Sequence, residues 1–99
     1  MAPPNYVISL AAQGDLTDLF DWIAADTGPN AAAGALRRIA QKFEVLAAMP
    51  HIGRVRNDLD GAPRTFAVWP WIIFYTPTDD ETGVLILRTL DGRRDLPGL

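Results

Sequence analysis

The order of hydrophobic and polar residues divides the chain into a helical first half and a strand-rich second half. Asn5-Tyr6-Val7-Ile8-Ser9-Leu10 reads as a short opening strand, kept extended on entry by Pro3-Pro4. From roughly Ala11 to Asp26 the period becomes helical. Ala12, Leu16, Leu19, Phe20 and Ile23 fall on one side, with Asp15, Asp18 and Asp21 on the other. Ser9 is the expected N-cap. Thr27-Gly28-Pro29-Asn30 stops this helix and starts a second, which runs from Pro29 or Asn30 to Ala48. Its apolar stripe is Ala32, Leu36, Ile39, Phe43 and Leu46, and Met49-Pro50 ends it. The short connection predicts an antiparallel helical hairpin.

After Pro50 the period shortens. Arg64 to Trp69, Trp71 to Tyr75 and Val84 to Leu90 read as strands. Pro70 marks one turn, and the segment Thr76 to Gly83, with Pro77, Asp79 and Asp80, is a loop. Short links favour an antiparallel meander. The strands carry apolar runs rather than clean alternation, which predicts a largely covered sheet, with the hairpin as the available cover. The expected class is α+β: an N-terminal strand and helical hairpin packed on a three- to four-stranded antiparallel sheet. No internal repeat or low-complexity stretch divides the chain, so residues 1–99 read as one domain.

Composition narrows the chemistry. There are no cysteines and one histidine, His51, so thiolate nucleophiles, disulfides and multi-histidine metal sites are excluded. No cofactor or metal is expected. No run of 18 apolar residues is present, and the N-terminus lacks a charged and apolar leader. A cytoplasmic protein is therefore expected, with no membrane partner.

Charge changes the picture more. Twelve acidic residues against nine basic ones give a net charge of −3. That balance argues against general nucleic-acid binding. Seven of the acids sit in two blocks: Asp15, Asp18, Asp21 and Asp26 on the first helix, and Asp79, Asp80 and Glu81 in one loop. Outside those blocks five acids remain against nine bases, a balance of +4. All of the bases except Lys42 are arginine, the side chain suited to bidentate recognition of carboxylate or phosphate.

Two readings of the arginines stand. Arg54, Arg56, Arg64, Arg88, Arg93 and Arg94 form one anion- or partner-binding side of the sheet, or they pair individually with Asp58, Asp60, Asp91 and Asp95. Arg88 has apolar neighbours on both sides, which predicts a side chain at least half buried and in need of a partner. Catalytic groups are sparse. His51 reads as an exposed loop residue, Tyr75 as core, and Asp79-Asp80-Glu81 as a solvated turn without the glycine and spacing of a calcium loop. Trp22, Val45, Trp69 and Trp71 are candidate protein-contact positions, since tryptophan is enriched at binding hot spots.

Taken in order, several segments form a recognisable pattern. They are Tyr6 to Leu10, Asp15-Leu16-Thr17-Asp18-Leu19, Phe43-Glu44-Val45-Leu46, Pro50-His51-Ile52-Gly53-Arg54, Arg64, Ile73-Phe74-Tyr75, and Ile86 to Asp95. With them the chain resembles the ParE branch of the ParE/RelE superfamily of bacterial toxins.

The resemblance implies the toxin of a type II toxin–antitoxin pair, neutralised by direct binding of a ParD-like antitoxin in a hetero-oligomeric complex. DNA contact would come through the antitoxin, not through this chain. ParE members are known for poisoning DNA gyrase and so blocking replication, without catalysis. RelE members instead cleave messenger RNA on the ribosome. A module that only binds antitoxin is a third possibility. The segment after Leu90 has no Tyr, His or Lys to serve a RelE-like ribonuclease, although Arg64 and Arg88 have the charge to stabilise phosphate. Asp91 stands where many ParE relatives carry His.

On this reading Arg56, Arg64, Arg88, Arg93 and Arg94 are the expected target-binding residues. Trp22, Val45, Trp69, Trp71 and Arg54 are the expected antitoxin-binding ones.

Overall fold

A computed structural model describes residues 5 to 94. Strand β1 (Asn5–Ile8) leads into helices α1 (Leu10–Thr27) and α2 (Pro29–Ala48). Then follow β2 (Arg54–Val55), β3 (Arg64–Val68), β4 (Trp71–Pro77) and β5 (Gly83–Asp91). The helices begin and end where the local chemistry predicts. The Ser9 hydroxyl accepts a hydrogen bond from the Ala12 amide at 3.0 Å, capping α1. Gly28, at φ +108°, ends α1 by donating to Ala24 O at 3.0 Å, and Pro29 opens α2 at once. Pro3-Pro4 and Asp95 lie outside the described residues.

The sheet is larger than the strand pattern suggests, and mixed. It has five strands in the order β1-β5-β4-β3-β2. The β2-β3-β4-β5 ladders are antiparallel, as expected from the short links. β2 is two residues long and carries too little pattern to be read from sequence. β1 pairs with β5 in parallel, from Asn5↔Gly83 to Ile8↔Ile86. Parallel pairing needs a long crossover, and everything between residues 9 and 82 supplies it.

The core lies between the hairpin and one face of this sheet. Ala12 and Leu19 of α1 and Ala35, Ile39, Phe43 and Leu46 of α2 pack on Trp71, Ile73, Tyr75, Val84 and Ile86. Tyr6 of β1 joins them, its ring 5.5 Å from that of Phe43. Burying one such side chain contributes about 1.5–3 kcal/mol. No described helix is long and apolar enough to cross a membrane.

One irregularity decides which way the end of β5 faces. Tyr75 pairs with Ile86 but Phe74 pairs with Arg88, leaving Leu87 as a bulge. Strict alternation from Val84 and Ile86 would aim residue 88 at the helices. The bulge turns Arg88 outward and brings Thr89 and Asp91 to the helical side, where they are buried.

Candidate functional site

Beyond Ile8 the outer edge of β5 has no strand beside it, and the start of α1 fills the gap. Ser9 N–H donates to Ile86 O at 3.0 Å, and Ser9 Oγ donates to Leu87 O at 2.9 Å. One turn on, the Asp15 carboxylate accepts the Thr89 N–H at 3.0 Å and a bidentate pair from Arg88 Nε and Nη2, both at 2.8 Å. The Asp15 side chain is 10% exposed and that of Arg88 49%. Such charge-assisted, bidentate geometry is strong when one partner is shielded from water. The half-burial expected for Arg88 is therefore met, and its partner is a helix residue 73 positions away.

The same helix face meets the segment after β5. A cleft of about 290 Å³ is lined by Asp15, Asp18, Arg88, Thr89, Leu90 and Arg94. A neighbouring one of about 340 Å³ is lined by Trp22, Asp26, Asp91, Arg93 and Arg94. The Arg94 guanidinium lies 5.1 Å from the centre of the exposed Trp22 ring. Asp91 is 3% exposed and accepts from Arg93 through its backbone N–H at 2.8 Å and its guanidinium at 3.0 and 3.2 Å. The Arg93 hydrogen bonds hold the Asp91 carboxyl below its ordinary range, against the opposing effect of burial. Asp15 of α1 is thus paired with Arg88, while Asp18 and Asp26 share the two clefts with Arg94.

At the other side of the sheet the loop Met49–Gly53 is fixed by two side chains. The buried Tyr75 hydroxyl accepts from Gly53 N–H at 2.8 Å and donates to Pro50 O at 3.0 Å. Burial pushes this phenol up. A Cβ at Gly53 would stand 2.5 Å from the hydroxyl oxygen and 2.9 Å from Thr65 O, so only glycine fits. Arg64 donates to Gly53 O at 2.8 Å and His51 O at 3.1 Å.

Arg64 also reaches His51 Nδ1 at 3.2 Å, while Glu81 Oε1 lies 2.8 Å from His51 Nε2. A guanidinium only donates, so Nδ1 accepts and the imidazole proton sits on Nε2, directed at Glu81. Both ring nitrogens are engaged. This Arg64–His51–Glu81 chain escapes sequence reading because its members lie 13 and 30 residues apart on separate loops and a strand.

The expected target-binding arginines do not gather on one surface. Arg56 pairs with Asp58 at 2.7 Å, which lowers the Asp58 carboxyl to about 2. Arg64 stands in the row of Tyr75, on the helical face, whereas Arg88 stands in the row of Phe74, on the opposite face. Arg93 and Arg94 belong to the α1 cleft. The residues expected at the antitoxin contact are also spread. Trp22 is on α1 and Val45 on α2, while Trp69 and Arg54 lie at the sheet. Trp71 is in the core at 5% exposure, with the Arg38 guanidinium 5.0 Å from its ring centre. Among the described residues no group of three or more His, Asp or Glu is placed to hold a metal ion.

Comparison with known proteins adds to this geometry. Residues 6–96 match the model of the family described as ParE toxin of type II toxin-antitoxin system, parDE. Toxin ParE3 of Caulobacter vibrioides is 41% identical over 83 residues, covering 84% of this chain and 81% of that protein. Toxin ParE1 of Mycobacterium tuberculosis is 28% identical over 92 residues, 93% of each chain. Among solved structures, the chromosomal ParDE system from P. aeruginosa superposes with a TM-score of 0.73 at 21% identity, over 90% of this chain and 96% of that one. The toxin–antitoxin complex RelBE2 from Mycobacterium tuberculosis gives 0.61 at 20% identity, over 91% and 99%. At those identities the structural matches establish the fold.

Proposed function

The chain belongs to the ParE family of type II toxin–antitoxin toxins, and from that premise we propose that it is held inactive by a ParD-like antitoxin and, once released, arrests growth by binding DNA gyrase without catalysis. The observation that carries the non-catalytic part is the engagement of the lone imidazole. Cleaving RNA through its own 2′-OH requires a base that takes the hydroxyl proton. His51 Nδ1 faces the Arg64 donor, and Nε2 carries its proton toward Glu81. The Tyr75 hydroxyl, engaged by Gly53 and Pro50, is buried. The arginines suited to stabilising phosphate charge lie on opposite faces of the sheet.

The test is a supercoiling assay with purified gyrase and refolded or antitoxin-released toxin. Inhibition or trapped cleaved DNA is expected at saturating toxin. Unchanged supercoiling, together with new transcript ends in translated messages after induction, would replace this reading with the ribonuclease one. Induction without antitoxin that leaves growth unaffected would reduce the protein to an antitoxin-binding module.

A further inference from the structure

Helix α1 carries four aspartates and no base. Asp15 is engaged by Arg88 and the Thr89 N–H. Asp18, Asp21 and Asp26 are exposed and make no ion pair with a described residue. Asp18, Trp22 and Asp26 stand at four-residue spacing, so two carboxylates flank one indole along a single stripe of about 12 Å. Trp22 is 54% exposed.

This placement runs against the helix itself. The last turn of α1 has no base, and Asp26 sets a carboxylate near the negative end of the macrodipole. It accepts a hydrogen bond from the neighbouring Thr27 hydroxyl at 3.1 Å. A departure from local helix chemistry without a compensating ion pair is expected at functional positions. Two observations independent of the carboxylates point to what binds here. The Arg94 guanidinium lies 5.1 Å from the centre of the Trp22 ring, so the indole already receives a cation of this shape. A recess of about 240 Å³, lined by Trp22, Ala25 and Asp26 but not by Arg94, leaves room for another. In the adjoining cleft beside Asp15 and Asp18, the Thr89 hydroxyl has no hydrogen-bond partner among the described residues, although Thr89 is 1% exposed.

We propose that the Asp18–Trp22–Asp26 flank of α1 is a receptor for an arginine-bearing basic segment of a partner protein. One guanidinium stacks on the indole in the recess, against the Asp26 carboxylate, and further basic residues of the segment face Asp18 and Asp21. This site goes beyond the toxin–antitoxin reading and does not rest on it. A planar guanidinium combines stacking with bidentate bonding to carboxylate, whereas an ammonium is a compact, strongly hydrated point charge. A nucleic acid or an anionic lipid surface would set phosphates against three carboxylates. A single cation–π contact at an open site is weak, so the occupant is a segment with several basic residues rather than a free guanidinium compound.

The probe is a capped Arg-Gly repeat peptide, titrated against the full-length protein, with Lys-Gly and Glu-Gly peptides of the same length beside it. On wild type, the indole N–H resonance of Trp22, identified by its loss in Trp22→Phe, should move as the Arg-Gly peptide is added. The Lys-Gly peptide should bind about fivefold more weakly. Trp22→Ala and the pair Asp18→Asn with Asp26→Asn should each weaken binding about tenfold, with unchanged circular dichroism. Asp60→Asn with Asp79→Asn removes equal charge from exposed loops and should stay within about twofold of wild type. A Trp22 resonance that does not move overturns the proposal, whatever the variants do. A loop pair as damaging as the α1 pair, or equal affinity for the Lys-Gly or Glu-Gly peptide, leaves no built guanidinium site and also overturns it. Sedimentation of the protein alone supplies the last outcome: a wild-type dimer that the α1 pair splits makes the occupant a second copy and overturns the proposal as well.

Discussion

Both faces of the sheet carry apolar rows, and they differ in how the chain treats them. On the inner face, buried tyrosine, valine and isoleucine meet a matching stripe from two helices. Some polar groups there are matched, Asp91 by Arg93 and Tyr75 by the Met49–Gly53 loop, whereas Trp71 Nε1 and Thr89 Oγ1 are buried without a hydrogen-bond partner among the described residues. The outer face has Trp69 and Val7 largely in solvent and no described helix or strand above it, although Phe74 on that face is buried. The lesson is that an apolar strand pattern reports that a face needs cover, not who provides it. The first face is sealed by the chain's own helices, and the second leaves Trp69 and Val7 to the solvent.

Four changes break or sharpen that contrast. The largest effect is expected at the inner face. Phe43→Ala removes a ring with 1% exposure and should cost about 3–5 kcal/mol in urea unfolding, as for other buried aromatic truncations. A cost below that of an exposed substitution would mean the inner face is not the stabilising one.

Next comes the seal at the sheet edge. Asp15→Asn keeps the shape but removes the charge that Arg88 and Thr89 N–H bind, and should cost about 1–2 kcal/mol. Asp58→Asn is the control, since its pair with Arg56 is exposed to water and screened by salt. Equal effects of the two would show that burial of Asp15 adds nothing.

The third is pH. The folded state holds the Asp91 carboxyl below its unfolded value, chiefly through the Arg93 hydrogen bonds. The folded state therefore binds this proton less readily. Its contribution is complete above the unfolded pKa of about 3.9 and is lost as pH falls through the lower folded-state value. Stability should hold from neutrality to about pH 5 and decline below about pH 4. Asp91→Asn should lessen the decline, and an acid limb identical to wild type would rule out Asp91 as its source.

The smallest effect on the isolated chain is expected on the outer face. Trp69→Ala should alter unfolding by less than about 0.5 kcal/mol, because the ring is two-thirds in solvent. A loss of several times that would make Trp69 part of the fold rather than a surface side chain.

Much of the architecture was legible because it is local. The helix stripes, the Ser9 cap and the Gly28-Pro29 junction depend on residues within a few positions of one another, and each appears where the period places it. Strands β3, β4 and β5 were legible for the same reason, whereas β2, at two residues, has no period to read. The candidate site was less legible. Among the arginines, Arg56 with Asp58 and Arg93 with Asp91 are near neighbours, and both acids stood among the possible partners. Arg88 with Asp15 and Arg64 with His51 and Glu81 cross long stretches of chain, and nothing local marks them.

Sequence by itself determined the α+β class, the hairpin, the absence of thiol chemistry and the supply of a single imidazole. It also carried the pattern that resembles ParE toxins. Tertiary structure alone decided the direction of each charge. A bulge at Leu87 shifts the alternation of β5 by one residue, turning Arg88 outward toward Asp15 and Asp91 inward toward the helices. Asp15 and Arg88, far apart along the chain, are thereby brought together as an ion pair at the α1 side. A strand's facing depends on its ladder partners, and those are set by pairing across the whole fold rather than by neighbours in sequence.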